Sequence, residues 1–163
     1  MPETQVTRVE VAGRRLRLTS LEKVMYPATE TTKGEILSYY AQVGPTLLRH
    51  LAGRPVTRVR YPHGVEDLSF FEKNLPSGAP SWLPRVRIDD VTYPLVTDLA
   101  QLTYLVNLNS IELHVPQWQV DEDDAPASPA SPRAADSTDE YGYEPELGYE
   151  PNEAADADRE SAP

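Results

Sequence analysis

Two lysines, Lys23 and Lys33, stand ten residues apart across a loop that contains Pro27, and the second falls at the expected start of a helix. That spacing can aim two ammonium groups, with free backbone N–H groups beside them, at one phosphate. The stretch from Arg54 to Asn74, RPVTRVRYPHGVEDLSFFEKN, gathers three arginines, a lysine and two adjacent phenylalanines around one turn. Val56 to Tyr61 mixes apolar and basic residues at strand spacing and predicts a half-basic surface carrying Arg58 and Arg60. Pro62-His63-Gly64 reverses the chain, and Ser69 to Lys73 reads as the partner strand of a long-looped hairpin. In a regular strand Phe70 and Phe71 point to opposite faces, so one ring can enter the core and the other cannot. A stranded ring beside Arg58, Arg60 and Lys73 is what a sheet needs to stack a base while holding its phosphate. The alternative is that both rings pack, one under each face. His114, in LHVPQW, sits at an expected strand end, as a ligand, a nucleotide contact or a satisfied core residue. Asp121 and Asp123 have the i, i+2 spacing that puts two carboxylates on one strand face for magnesium. No apolar residue flanks them, so no strand would fix their geometry.

The elements that must position these groups can be read in order. Val6 to Val11 and Leu16 to Leu18 alternate around Ala12-Gly13-Arg14, which predicts an opening hairpin. Leu21 to Tyr26 reads as a short helical or irregular piece stopped by Pro27. Thr31-Thr32-Lys33-Gly34-Glu35 looks like a capped helix start, with Ile36, Leu37, Tyr40 and Val43 on one face. Pro45 is expected to open a second helix that Gly53 closes. Pro76 to Pro84 reads as plain connection. Val86 to Ile88 and Val91 to Val96 are strand candidates around Asp89-Asp90, with Pro94 restricting the second to an edge or a strand end. Asp98 is a good cap for an apolar helix to about Asn109, and Ile111 to Val115 is the last strand.

Composition divides the chain sharply. The 163 residues carry a formal charge of −11, yet residues 1–120 hold 13 Lys and Arg against 12 Asp and Glu, while 121–163 hold 2 against 14. The first part is near neutral and the acidity sits in the second. Residues 121–163 have one leucine, no Ile, Val, Phe, Met or Trp, and six prolines, so they are expected to form a disordered acidic tail. The short Gly-Tyr-Glu-Pro repeat at 142–145 and 148–151 implies no architecture. Residues 1–120 suffice for one domain with a modest core. No cysteine is present, which excludes disulfides and thiolate metal sites. The N-terminal residues hold no apolar run of signal-peptide length and no stretch approaches a membrane span, so a cytoplasmic protein without membrane contact is expected.

Taken together and in this order, LRLTSLEKVMYP, TTKGEILSYYA, HLAGRPVTRVRYPHG, SFFEKN, TYPLV and ELHVPQW resemble the polymerase domain of bacterial DNA ligase D, within the archaeo-eukaryotic primases. The likeness covers nearly all of residues 7–119. It implies an α+β fold: part of a primase-polymerase mixed sheet with flanking helices, followed by the tail. It also implies DNA ends bearing a 5′-phosphate as the ligand, in non-homologous end joining near the bacterial nucleoid. Ku, a ligase or a complementary polymerase half would be the protein partners. Carried over by position, Lys23 and Lys33 would hold the 5′-phosphate with Ser20 close by. Phe70 and Phe71 would stack on DNA, His114 would lie near the incoming nucleotide, and Arg58, Arg60 and Lys73 would meet the backbone.

The sequence departs from the family in one respect that matters for chemistry. The family's Asp-x-Asp strand followed by Pro-Gly, which binds manganese or magnesium, has no counterpart in context, so no catalytic residue, cofactor or metal site is expected in this chain. Val59 also stands where family members often have lysine. Three readings follow: a DNA-end-binding remnant without nucleotidyl transfer, half of a split polymerase, or a truncated product.

Overall fold

Asn107, near the end of a helix, does the work of a strand for the hairpin that opens the chain. Its side-chain amide donates to the Arg17 carbonyl at 3.0 Å and accepts from the Thr19 N–H at 3.1 Å. That pins the strand leading into Ser20 and Lys23. The computed structural model describes residues 5–120. The expected tail and the Asp121/Asp123 pair lie outside the described residues.

Strands β1 (Val6–Val11) and β2 (Arg14–Thr19) pair antiparallel across the two-residue turn Ala12-Gly13. The period of two sends Leu16 and Leu18 inward and leaves Arg15 and Arg17 exposed. Leu21 to Tyr26 is not helical. A turn leads into β3 (Val24–Tyr26), which pairs with β4 (Thr31–Thr32) around a 3-10 turn at Pro27–Thr29. Its β-branched Val24 and aromatic Tyr26 flank Met25, which is fully buried.

Helix α1 (Lys33–Leu51) starts on the expected capping box: Glu35 N–H donates to Thr32 Oγ1 and the Glu35 carboxylate accepts from Thr32 N–H. It is one helix and not two, because Pro45 lies inside it. Proline lacks an N–H and its ring crowds the carbonyl four residues back, yet the helix continues through it, beside Gly44, which packs against Leu99. A Cβ on Gly44 would lie 2.8 Å from Leu99 Cδ1.

β5 (Thr57–Arg60) is the centre of a three-stranded sheet, between β6 (Phe70–Glu72) and β9 (Ser110–His114), antiparallel to both. The β5–β6 turn needs Gly64, at φ +105°, where a Cβ would sit 3.2 Å from the Met25 carbonyl oxygen. β7 (Arg85–Ile88) and β8 (Val91–Pro94) form a separate hairpin, with Pro94 at a strand end as expected. Helix α2 (Leu99–Asn107) carries a second capping box, Asp98 with Gln101, and ends two residues earlier than expected. Its Ala100, Leu102, Leu105 and Val106 are fully buried and form the middle of the core.

The connection Pro76–Pro84 is also part of the core. Leu83 is fully buried, and Trp82 is held edge-on to Tyr104 at 5.7 Å with the Arg14 guanidinium 4.9 Å over its ring. Behind the sheet, Arg54 donates to the carbonyls of Pro116, Gln117 and Trp118, and Val120 N–H donates to the Gly53 carbonyl at 2.7 Å. Among the described residues no helix is long and apolar enough to cross a membrane.

Candidate nucleic-acid interface

The first cluster is built on the turn after β2. Ser20 adopts φ 54°, its carbonyl accepts from Lys23 N–H, and the chain then meets the start of α1. Lys33 N–H donates to the Lys23 carbonyl at 2.8 Å and Gly34 N–H to the Leu21 carbonyl at 2.9 Å. With Glu35 N–H held by Thr32, the first N–H groups of the helix are all taken. The expectation that free backbone N–H groups would help to hold an anion is therefore corrected, and the lysine side chains are what this corner presents. Lys23 Nζ rests on the Pro62 carbonyl, and Lys33 Nζ makes one long bond, 3.4 Å, to Thr19 Oγ1. Neither lysine is ion-paired among the described residues. Lys33 is 3% exposed, and burial, reinforced by the charge of Lys23, pushes its pKa down to about 8. A buried ammonium with spare donors and no counter-charge is an anion site in waiting.

The second cluster is the open face of the three-stranded sheet. Register places Thr57 opposite His114, and Val59 opposite both Phe71 and Glu112. Strand alternation then puts Phe71, Lys73, Glu112 and His114 on one face, with Arg58, Arg60, Phe70 and Glu72 on the other. Phe70 and Phe71 do point to opposite faces, but neither enters the core: they are 46% and 63% exposed. The short β6 lies at the sheet edge, and no core residue covers either ring. Arg60 stacks its guanidinium 5.0 Å from the Phe70 ring, while Phe71 lies 6.3 Å from the His114 ring.

Arg58 is 1% exposed, so it lies beneath the surface and not on it, because a period of two gives it the same side as the core residue Val56. It donates to the Asn74 carbonyl at 2.7 Å and pairs with Glu72 at 3.1 Å, and Arg60 takes the other Glu72 oxygen at 2.9 Å. The surface basic groups of this hairpin are thus Arg60 and Lys73.

On the open face, Glu112 organises its neighbours. Tyr61 OH donates to Glu112 Oε2 at 2.7 Å, and His114 Nε2 lies 2.7 Å from Oε1. The two bonds hold the Glu112 carboxyl below its usual range and raise the Tyr61 phenol above its own. A cavity of about 320 Å³ opens beside this row, with Phe71, Lys73, His114, Tyr93 and Trp118 in its wall. Sequence reasoning missed Glu72, Glu112 and Tyr61. Counting cross-strand partners from the Pro62-His63-Gly64 turn would have set Leu68 opposite Arg58; Glu72 stands there because the connection is centred on Val65. Glu112 lies two residues before His114, the same-face spacing of a strand.

The chain as a whole has relatives in a known family. Residues 32–130, more than half of the chain, match the family model described as LigD, primase-polymerase domain. The chain belongs to that family. It is 46% identical over 114 residues to the multifunctional non-homologous end joining protein LigD of Mycolicibacterium smegmatis, covering 68% of this chain and 15% of that one. To the bifunctional non-homologous end joining protein LigD of Bacillus subtilis it is 35% identical over 102 residues, 63% of this chain and 17% of the relative. Among solved structures it superposes on the polymerase domain of Mycobacterium tuberculosis ligase D in complex with DNA. The TM-score is 0.64 and the identity 43%, over 72% of this chain and 40% of that one. The chain therefore spans under a fifth of the curated relatives, and the family match runs past residue 120.

Proposed function

We propose that this chain binds DNA ends carrying a 5′-phosphate, as the end-holding part of a non-homologous end-joining polymerase domain. The observation that carries this reading is the lysine corner: Lys33, buried and without a counter-ion among the described residues, stands with Lys23 at the rim of a sheet that exposes two phenylalanines. Unpaired cations beside an aromatic platform are the means by which a protein holds a strand terminus and stacks the adjoining base. The likeness to a relative solved with DNA supports the same reading. In it, Lys23 and Lys33 take the phosphate, Ser20 shapes the turn between them, Phe70 and Phe71 stack, and Arg60 and Lys73 contact the backbone. Arg58 acts from beneath by holding Glu72. His114, fixed by Glu112, faces the side where a nucleotide would pair.

A divalent ion for nucleotidyl transfer does not fit the described residues. The open face carries a single carboxylate, Glu112, and both of its oxygens are already hydrogen-bonded. Hard cations of this kind need several oxygen ligands. No chemical step is assigned to this face.

Fluorescence anisotropy tests the main reading on a recessed duplex end with 5′-phosphate and on the same end with 5′-hydroxyl. Tighter binding to the phosphate, removed by Lys33→Met, is the expected result. Equal binding of both ends by the unaltered chain would end the proposal.

A further inference from the structure

The first two turns of α1 and the β3–β4 pair border a cavity of about 380 Å³ that neither cluster above uses. Its wall is aromatic: Tyr26 comes from β3, Tyr39 and Tyr40 from α1, and Ile36 and Ile111 complete the apolar lining. Adjacent helical positions are turned about 100° from each other, so neighbouring rings become two walls rather than a stack. Tyr39 and Tyr40 stand edge to face, with centroids 5.6 Å apart and planes at 77°. Tyr40 is fixed in that position by donating its hydroxyl to the Ile111 carbonyl at 2.7 Å. Tyr26 and Tyr39 remain 40% and 59% exposed. A cluster of open rings in a concave surface is uncommon on a protein without something to meet it.

The charge at this cavity has one sign. Glu35 lines it, no lysine, arginine or histidine does, and Glu30 stands exposed between the lining residues Thr29 and Thr31. Glu35 is ionised: bonds from the backbone and then the side chain of Thr32 hold its carboxyl below the usual range. Both bonds go to Oε2, at 2.7 and 3.0 Å, and among the described residues no cation pairs with the group. The Thr29 and Thr31 hydroxyls satisfy each other at 2.7 Å, which leaves the carboxylate as the charged polar feature of the wall. Burial, then the nearby Tyr26, Tyr39 and Glu112, push the Tyr40 phenol up to about 12, so further negative charge is disfavoured here. Ring faces set at right angles beside a carboxylate match a compact cation, because each face carries the negative end of its quadrupole. We infer that this cavity seats the ammonium of a lysine side chain, bare or methylated, presented by a basic segment of a partner protein. The rings are too open to enclose a free small molecule, which ordinarily has most of its surface covered, whereas a side chain brings its own backbone to cover the rim. The inference goes beyond the DNA-end reading and does not depend on it.

The test uses the full chain with ring-labelled tyrosines, titrated by NMR with the capped peptide Ala-Ala-Lys-Ala-Ala. The same peptide with trimethyllysine, and with neutral norleucine in place of lysine, completes the set. The Tyr26, Tyr39 and Tyr40 signals should move with either cationic peptide and stay still with norleucine. Tyr39→Ala should weaken binding by about fivefold, the scale of one cation–π contact at an exposed site, while Tyr39→Phe should keep the affinity. Glu35→Gln retains an acceptor for the capping box and so the melting temperature, yet should weaken the lysine peptide by a similar factor. Preference for 5′-phosphate on a DNA end should be the same in all three variants. No shift with either cationic peptide, or equal binding of norleucine, overturns the inference. So does tetramethylammonium binding as tightly as the peptides, which would make the site one for a free amine. Binding of a proline-rich peptide in place of the lysine peptide, lost in Tyr39→Ala, would overturn the cation and leave an aromatic groove for extended chain. A fall in 5′-phosphate preference with the lysine response unmoved would assign the cavity to the DNA end instead.

Discussion

The lysine corner and the open sheet face, assigned above to the same strand by proposal, hold their groups in opposite physical states. Lys33 is sealed by its own helix start and strained electrostatically by Lys23, whereas Phe71, Lys73 and His114 stand in solvent on an edge-proximal face. A desolvated cation discriminates sharply, because any partner that fails to bring negative charge leaves it uncompensated. An exposed ring beside an exposed lysine is tolerant, since every base has a face to stack and the surrounding salt screens the charge. The corner should therefore decide which ends are accepted, and the face should decide how firmly any strand is held.

The sharpest way to break this division is Lys33→Met, which keeps the length and apolar stem and deletes the charge. A charge-assisted contact to phosphate is worth about 1.5–3 kcal/mol, so the preference for 5′-phosphate over hydroxyl should fall by roughly ten- to a hundredfold or more. Titration of both ends by anisotropy measures it. An unchanged preference would move the discrimination away from the corner.

Phe71→Ala tests the other half. Loss of one base-aromatic stack of about 1–3 kcal/mol should weaken both kinds of end alike, leaving their ratio constant. Because the ring is 63% exposed, the thermal midpoint should barely move. A changed ratio would show the two regions acting as one.

Acidity sharpens the contrast further. Lys33 is charged below about pH 8 and neutral above it, so phosphate preference should decline from pH 7 to pH 9 while the stacking contribution stays level. The effect on folding has the opposite sign. Lys33 has a pKa of about 8 when folded against 10.5 in the reference state, so between those values the unfolded chain binds more protons and stability rises with pH. Binding isotherms and thermal melts across that window separate the two trends.

The smallest effect belongs to Glu112→Gln. The amide retains a partner for Tyr61 but loses the charge that orients His114, so binding of either end should change by only a few-fold, within about 1 kcal/mol. A large loss would place Glu112 in direct contact with the strand and redraw the open face.

The parts that were legible in the sequence were those fixed by local chemistry. Both capping boxes, the opening hairpin and the Pro94 strand end follow from neighbours within a few positions. What was not legible depended on distant partners. Pro45 reads as a helix start until the approach of Leu99 to Gly44 shows that α1 continues across it. Trp82 reads as loop until Arg14 and Tyr104, far away in sequence, are seen around its ring. Among the candidate residues, Lys23, Lys33 and the phenylalanines were singled out by type, but their burial was not legible. The mixture of arginine with valine suggested an exposed basic row, whereas strict alternation had already assigned Arg58 to the side of Val56. Two exposed rings rather than one reflect the short edge strand, which no count of apolar residues specifies.

The Arg54 clasp closes the segment that carries the three-stranded sheet. Residues 53 and 120 meet through a backbone hydrogen bond, and Arg54 ties the intervening chain's far end to its beginning, so everything from β5 to β9 is a closed loop with a knot of bonds at its neck. Such a segment cannot fray from one end. Amide exchange at Val120 should be as slow as in β5, and both should open together as a single cooperative unit.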